Sequence, residues 1–256
     1  MLDKTRFLTI FAAYNDLETI RRTLPSVLDE TRRNDAKLIV HDSSDKNRAA
    51  IWEWLLELNR SNDFFLLLTS NMSMADARNM CMRTGIDLFG PEYVCMLEDD
   101  HGFQLGLIPA MVSAMKKHYG NRSPNGLRYG LFTGCRECFA HHAYILTEDG
   151  HAYPSPDNIP LALGGVNSCF RCAPTSHWIS VLKGYDPDEY MISNFQTRNC
   201  NFRNYHNGFT TLIVQNGELG FRVDRRGRGY TRAAEERPYD PEFTKSDSRS
   251  VYHGQK

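Results

Sequence analysis

The sequence predicts an α/β domain, a mainly parallel central sheet flanked by helices. Two observations carry this. Short apolar runs bounded by polar residues occur at Phe7–Ala12, Lys37–His41, Phe64–Leu68 and Tyr93–Leu97, as expected of buried strands. The segments between them carry apolar residues at helical spacing, and that alternation defines βαβ units with a parallel sheet.

Each element has its own signal. In Asp16–Arg33, Leu17, Ile20, Leu24 and Leu28 share one helical face, with Asn15 or Asp16 as the cap and Pro25 as the expected kink. Asn47–Arg60 places Ile51, Trp54, Leu55 and Leu58 on one face. Ser73-Met-Ala-Asp76 opens a helix to about Leu88 as a capping box with Asp in place of Glu. Beyond the fourth strand the pattern loosens. Leu107–His118 reads as a helix, Tyr129–Thr133 and Ala143–Thr147 as strands, and the Pro- and Gly-bearing Glu148–Pro160 as a loop. Asn167–Cys172 looks like a strand. Thr175–Leu182 and about Met191–Asn204 read as helices, and Thr210–Val214 as a last strand. With no internal repeat and no clean linker, one domain is expected over 1–217, followed by an Arg- and Gly-rich segment at 218–256.

The bulk properties bound the function. The 256 residues can bury a sizeable core, and a net charge of −1 gives no global case for binding nucleic acid. No run approaches the roughly 20 apolar residues of a membrane span. Phe7–Ala13 leads straight into Asn15-Asp16 with no cleavage-like site, so a cytoplasmic location is expected, with peripheral membrane contact compatible. Cys135/Cys138 and Cys169/Cys172 form two Cys-x-x-Cys pairs. Their separation exceeds a zinc ribbon's, and residues three apart on a strand face opposite ways, so buried thiols are the simpler expectation.

The chemistry is most visible at Glu98-Asp99-Asp100, three acids at the end of the Tyr93–Leu97 strand. Ligands bind at the carboxyl ends of strands in parallel sheets. Crowded carboxylates there suit a hard divalent cation, Mg²⁺ or Mn²⁺, arriving with a substrate's phosphates.

Several segments together resemble the family 2 glycosyltransferases of the GT-A (Rossmann-like, nucleotide-binding) fold. Ile10-Phe-Ala-Ala-Tyr-Asn15 resembles the opening strand, Leu38-Ile-Val-His-Asp42-Ser-Ser-Asp45 the second strand and its acidic turn, and Asn71–Asn79 the helix start with Ala-Arg-Asn. Glu98-Asp99-Asp100 falls at the DxD-type metal motif. Gly164–Arg171 and Lys183-Gly-Tyr-Asp186 resemble the acceptor-side strand and turn. The resemblance implies a donor half at about 1–103 and an acceptor half at about 104–217. It implies that Ala12 and Ala13 present backbone to the donor base, that Tyr14 stacks on it, and that Asp42 accepts from its imino N–H. Arg78 would reach the diphosphate or the acidic motif. Asp100, with Glu98, would hold the metal, and Asp99 the ribose or a metal-bound water. The implied activity is metal-dependent transfer from a nucleotide-diphosphate sugar, UDP-sugar first and GDP-sugar second, to a glycan, lipid-linked or other hydroxyl acceptor.

One departure stands out. Where inverting members carry a Glu-Asp pair with the general base, this chain has Gln196-Thr197. The base is then sought in Asp186 or Asp188, with Glu189, Glu137, His141 and His142 as further candidates, or the enzyme retains configuration. A non-catalytic nucleotide-sugar binder and a sugar nucleotidyltransferase are the competing readings. The latter usually opens with a Gly-rich phosphate loop and a lysine, where this chain has Ala12-Ala13-Tyr14-Asn15. From Arg222 to Arg237 there are six arginines and three acids. Arg225 and Arg228 in that stretch are candidate donor-phosphate ligands, on a segment whose glycines suit a flexible lid.

Overall fold

In a computed structural model of the chain, the elements are β1 (Phe7–Ala13), α1 (Leu17–Arg33), β2 (Lys37–Asp42), α2 (Arg48–Ser61), β3 (Phe65–Leu68), α3 (Met74–Phe89), β4 (Tyr93–Glu98), β5 (His101–Phe103), α4 (Leu107–His118), β6 (Arg128–Thr133), β7 (Ala143–Leu146), β8 (Ala152–Pro154), β9 (Phe170–Pro174), α5 (Thr175–His177, running on as a π-helical turn at Trp178–Leu182), β10 (Phe209–Val214) and β11 (Gly220–Arg222). The structure describes residues 6–70, 72, 74–124, 126–134, 143–146, 152–154, 170–184, 203–204, 207–215 and 218–223.

Nine strands form one sheet in the order β3-β2-β1-β4-β9-β6-β10-β7-β8. Pairing is parallel throughout β3-β2-β1-β4 and from β10 to β6 and β7. It is antiparallel where β9 lies between β4 and β6 and where β8 closes the edge. A separate antiparallel ribbon joins β5 to β11.

Strand alternation sorts the core into two layers. Phe7, Phe11 and Ala13 of β1, Leu38 and Val40 of β2, and Tyr93, Cys95 and Leu97 of β4 pack with Ile20, Leu24 and Val27 of α1, Leu55 of α2 and Met111 of α4. Leu8 and Ile10, Ile39, and Val94 and Met96 pack on the other side with Cys81 and Met82 of α3, Trp178 and Leu182. The central strands are buried on both faces, which is why they read as continuous apolar runs. Each fully buried Phe, Leu or Ile contributes about 1.5–3 kcal/mol over exposure.

Several expectations are corrected. α1 continues as one helix past Pro25, where the missing N–H is the one that would meet the carbonyl of Arg21. Asp16 is its cap, with Oδ1 accepting from Thr19 N–H at 3.2 Å. α2 begins after Asn47 at φ 55°, without a side-chain cap. β8 lies inside the stretch expected to be loop, and β5 was not anticipated. β11, with the buried Leu219 and Val223 flanking it, extends the folded chain to 223. Ser73 of the expected capping box and most of the expected helix at Met191–Asn204 lie outside the described residues.

α4 is tied to α1 by a buried acid. Gly106, its N-cap, has no side chain to offer. Glu30 of α1 substitutes, accepting from Gly106 N–H at 3.1 Å through Oε2 and from Ile108 N–H at 3.0 Å through Oε1.

Candidate functional site

The carboxyl ends of β1, β2 and β4 meet at one edge. Ala13 sits opposite Asp42, and Ala12 opposite both His41 and Glu98. Ala12 is half-buried and Ala13 buried, so little side chain stands between the backbone here and a ligand.

Beyond β1, Tyr14 N–H donates to Asp99 Oδ2 at 2.9 Å, joining the first strand end to the acidic turn. Asn15 adopts φ 60° and clamps the turn after β2. Its N–H donates to Ser44 Oγ at 2.7 Å, its Nδ2 to Asp45 Oδ1 at 2.7 Å, and its Oδ1 accepts from Asp45 and Lys46 N–H. Tyr14 OH donates to the same Asp45 Oδ1 at 3.2 Å, which fixes the direction of the half-exposed ring. Burial alone would raise the Asp45 carboxyl, but the bonds from Asn15, Lys46 and Tyr14 together hold it below its ordinary value.

Asp42 shares a strand face with Leu38 and Val40, so its side chain points toward α2. There Trp52 Nε1 donates to Oδ1 at 2.8 Å, while Ser44 donates through N–H to Oδ1 and through Oγ to Oδ2. The residue is wholly buried. Burial pushes its carboxyl pKa up against the opposing pull of those bonds and of Arg48.

The same alternation separates the acids of the triplet. Glu98 ends β4 on the face of Val94 and Met96, toward α3, and forms an ion pair with Arg78. Arg78, in the second turn of α3, is 2% exposed. Next to it, His41 Nε2 lies 2.8 Å from Thr69 Oγ1, and burial together with the nearby Arg78 pushes its imidazole pKa down to about 4.

Asp99 and Asp100 occupy the turn between β4 and β5, and α1 holds that turn. Thr23 Oγ1 donates to the Asp99 carbonyl at 2.6 Å, and Ser26 Oγ accepts from Phe103 N–H at 3.1 Å. Asp100 is 2% exposed. Arg222 Nε of β11 donates to its Oδ2 at 3.0 Å, His101 Nδ1 lies 2.6 Å from its Oδ1, and Val223 N–H donates to its carbonyl.

The structure thus brings Ala12, Ala13, Tyr14, Asp42, Arg78, Glu98, Asp99 and Asp100 to one sheet edge. Asp186, Asp188, Arg225 and Arg228 lie outside the described residues, as do Glu189, Glu137, His141, His142, Gln196 and Thr197. Of the paired cysteines only Cys172 is described, a buried free thiol of β9. Sequence reading missed the scaffold: Asn15, Thr23, Ser26, Ser44, Asp45, Trp52, and the pairing of Arg222 with Asp100. The turn-forming Asn15 and the Ser-rich turn were the only local hints.

Among the described residues no three His, Cys, Asp or Glu side chains converge as a metal cage. A divalent ion of the Mg²⁺ type does not require one. It is commonly held by one or two carboxylates with the rest supplied by phosphates and water, and the buried Asp100 carboxylate, already facing a cation, suits that arrangement.

Small residues, an aromatic and an acidic turn thus stand at the carboxyl ends of an open, mainly parallel sheet, where α/β proteins bind their ligands. The sequence profile described as "Glycosyl transferase family 2" matches residues 9–134, just under half of the chain; that stretch is similar to the family 2 glycosyltransferases, and the fold is of the GT-A type. No curated protein matches it. Solved structures share the fold at low identity. S. aureus TarS 1-349 in complex with UDP-GlcNAc is 11% identical, with a TM-score of 0.63 over 96% of this chain and 65% of that one. GalNAc-T7 with UDP, GalNAc and Mn²⁺ is 13% identical, with a TM-score of 0.58 over 86% and 45%. The mannosyltransferase PcManGT from Pyrobaculum calidifontis with GDP-Man and Mn²⁺ is 14% identical, with a TM-score of 0.53 over 89% and 60%. The chain thus spans 45% to 65% of the length of these proteins. No described helix is long and apolar enough to cross a membrane.

Proposed function

We propose that this chain transfers a sugar from a nucleotide-diphosphate sugar to a hydroxyl acceptor, with a divalent cation, Mn²⁺ or Mg²⁺, at Asp100. The observation that carries the reading is the hydrogen bond from Tyr14 N–H to Asp99 Oδ2. It joins the strand end suited to a base with the acidic turn suited to a diphosphate. A UDP-sugar is the first choice of donor and a GDP-sugar the second, in keeping with what the similar structures hold. The acceptor is a glycan or lipid-linked hydroxyl, met in the cytoplasm or at a membrane surface.

Each residue then has a task. Ala12 and Ala13 let the base approach the backbone, and Tyr14 stacks on it with its ring aimed by Asp45. Asp42 shapes the base pocket: three donors use three of its roughly four acceptor positions, so it orients the Ser44–Asp45 turn. Asp99, steered by Tyr14 N–H, faces the ribose. Arg78 offers its guanidinium to the diphosphate while Glu98 holds it, so Glu98 serves the metal site indirectly. A bound cation would supply neutralisation of the charge that develops on the diphosphate leaving group. The acceptor hydroxyl must lose a proton, and Asp186 or Asp188 is the proposed base. Arg225 and Arg228 are proposed as further phosphate ligands, on a segment that closes over the donor.

Calorimetric titration with UDP and GDP, with and without Mn²⁺, tests the reading. Metal-dependent binding of one of them, lost in Asp100→Ala, is the expected result. No binding of any nucleoside diphosphate would sink it. Binding without donor hydrolysis or transfer would favour a non-catalytic binder, the reading that Gln196-Thr197 suggests.

A further inference from the structure

Asp100 presents a physical problem. Its carboxylate is buried, and a buried charge without a counter-charge is strongly unfavourable. The permanent counter-charge is Arg222, whose Nε donates to Oδ2 at 3.0 Å, while His101 Nδ1 lies 2.6 Å from Oδ1. Arg222 ends β11, a three-residue strand held to β5 by the pairings Gly220 with Phe103, Phe221 with Gly102, and Arg222 with His101. The Val223 N–H bond to the Asp100 carbonyl, at 2.8 Å, fixes the backbone beside it. The guanidinium is therefore delivered to Asp100 by the fold, although 122 positions separate the two residues in sequence. Its side chain stays 31% exposed where that of Asp100 is 3%, so the arginine is the less enclosed of the two.

We propose that Arg222 is an exchangeable counter-ion, an internal cation that holds Asp100 until a divalent metal replaces it and that then turns to the donor diphosphate. The inference rests on the function proposed above. The physical argument is one of competition. A dication bound to Oδ2 at the usual distance of about 2 Å would lie within about 5 Å of Arg222 Nε, bringing two positive groups together on one oxygen. Each then weakens the other's hold on that oxygen, and the arginine is the one on a partly exposed side chain. Once released it is a planar, permanently charged fork suited to phosphate oxygens. A single exchange thus opposes metal binding to the empty protein and favours metal arriving with nucleotide, so that Asp100 is never both buried and uncompensated.

The test measures Mn²⁺ affinity by the loss of the free-ion paramagnetic resonance signal, without nucleotide and then with UDP or GDP, whichever the wild type binds. Arg222→Gln removes the competing charge and Arg222→Lys keeps it. Without nucleotide, Arg222→Gln is expected to bind Mn²⁺ about 10-fold more tightly than wild type, within the usual span of site-to-site coupling, with Arg222→Lys close to wild type. The gained affinity must vanish in the double variant with Asp100→Asn. With nucleotide the order reverses, and Arg222→Gln binds the Mn²⁺–nucleotide pair about 10-fold more weakly. Melting curves in chelator supply a second readout, because Arg222→Gln should melt lower than wild type and recover more on adding Mn²⁺. Unchanged or weaker Mn²⁺ binding by Arg222→Gln, in a protein whose wild type binds nucleotide, overturns the exchange and leaves the proposed function standing. Tighter Mn²⁺ binding in a protein that binds no nucleoside diphosphate supports the exchange at Asp100 and removes the function built around it.

Discussion

The two halves of the chain build their parts of the sheet in different ways. In residues 6–103, β1, β2, β3 and β4 pair in parallel, each linked to the next through a helix, and each of β1, β2 and β4 delivers a site residue at its carboxyl end. In the second half, β9 enters antiparallel between β4 and β6, and β10 inserts between β6 and β7. The first half builds its strands by successive strand–helix–strand steps, with β4 returning beside β1, whereas the second inserts strands between earlier ones. The contrast is sharpest within the acidic triplet. Glu98 is held by Arg78, 20 positions away on the neighbouring helix, whereas Asp100 is held by Arg222, 122 positions away. A site can therefore have its acids specified by one half and their counter-charges by both.

The largest expected effect is at the acid that the two halves share. Asp100→Asn should lower transfer by about three orders of magnitude, the scale of losing a charge-stabilising group, while the protein remains folded. Initial rates with the donor found by titration check this, and a loss below tenfold would separate Asp100 from the chemistry. Next comes the pair inside the first half. Arg78→Met leaves Glu98 without its buried partner and should cost about 3 kcal/mol in denaturant unfolding. A cost under about 1 kcal/mol would show the pair behaving as a surface one, and the local half would lose its claim to be the rigid part of the site.

Legibility in the sequence followed the same division. β1, β2 and β4 were visible because they are buried on both faces, and β3, a half-exposed edge strand, because its apolar run stands between two helices. Their register was legible too, since alternation along β4 places Glu98 on α3's side and Cys95 and Leu97 on the other. The partner of Asp42 was within reach of the same argument, because Asp42 shares a face with Leu38 and Val40, and Trp52 lies only ten positions on. β5, β8 and β11 were not legible, since three residues are too few to show a period of two. The insertion of β9 beside β4 leaves no local trace, and neither does the pairing of Arg222 with Asp100. Both are properties of closure over long loops.

A glycine in the second half tests how rigid the long-range part is. In the pairing of β6 with β10 the register passes from Tyr129–Thr210 to Leu131–Thr211, so Gly130 is the extra residue of a bulge. A Cβ there would stand 2.6 Å from the His177 ring and 2.7 Å from Asn204 Oδ1. The ring cannot easily retreat, being 2.9 Å from Asn204 Oδ1 on one side and edge-on to Phe209 and Tyr119 on others. Gly130→Ala should cost about 2 kcal/mol, measured as a shift in denaturant midpoint at constant slope.

His41 in the first half and His177 in the second, both buried, give a pH comparison. Burial lowers His41, with Arg78 adding to it, and burial lowers His177 against the bond to Asn204, each to about 4 from 6.5. Below pH 6.5 the unfolded chain binds protons that the folded one refuses, so both histidines remove stability as pH falls from 6.5 toward 4. The slope is at most about 1.4 kcal/mol per pH unit for each imidazole. His41→Gln and His177→Gln should each flatten the wild-type profile in that window. A flattening confined to one variant would assign acid sensitivity to one half.

The smallest effect is expected at Gly85, the counterpart of Gly130 in the first half. A Cβ on this α3 residue would meet Ile39 Cδ1 at 3.0 Å and Leu8 Cδ2 at 2.3 Å, the latter closer than anything around Gly130. Distance alone would rank Gly85→Ala as the worse substitution. Three differences reverse the order. The atoms in the way are the ends of aliphatic side chains, which can turn away, where His177 is a pinned ring. Gly85 lies inside a helix, and alanine there regains about 1 kcal/mol of helix propensity. Gly85 also lies outside any strand ladder, whereas Gly130 is the bulge residue between β6 and β10. Gly85→Ala should therefore fall within about 1 kcal/mol of wild type by denaturant unfolding. If it instead costs more than Gly130→Ala, the packing of α3 on β1 and β2 is the stiffer contact. The local half would then be rigid because its layers fit closely as well as because its connections are short.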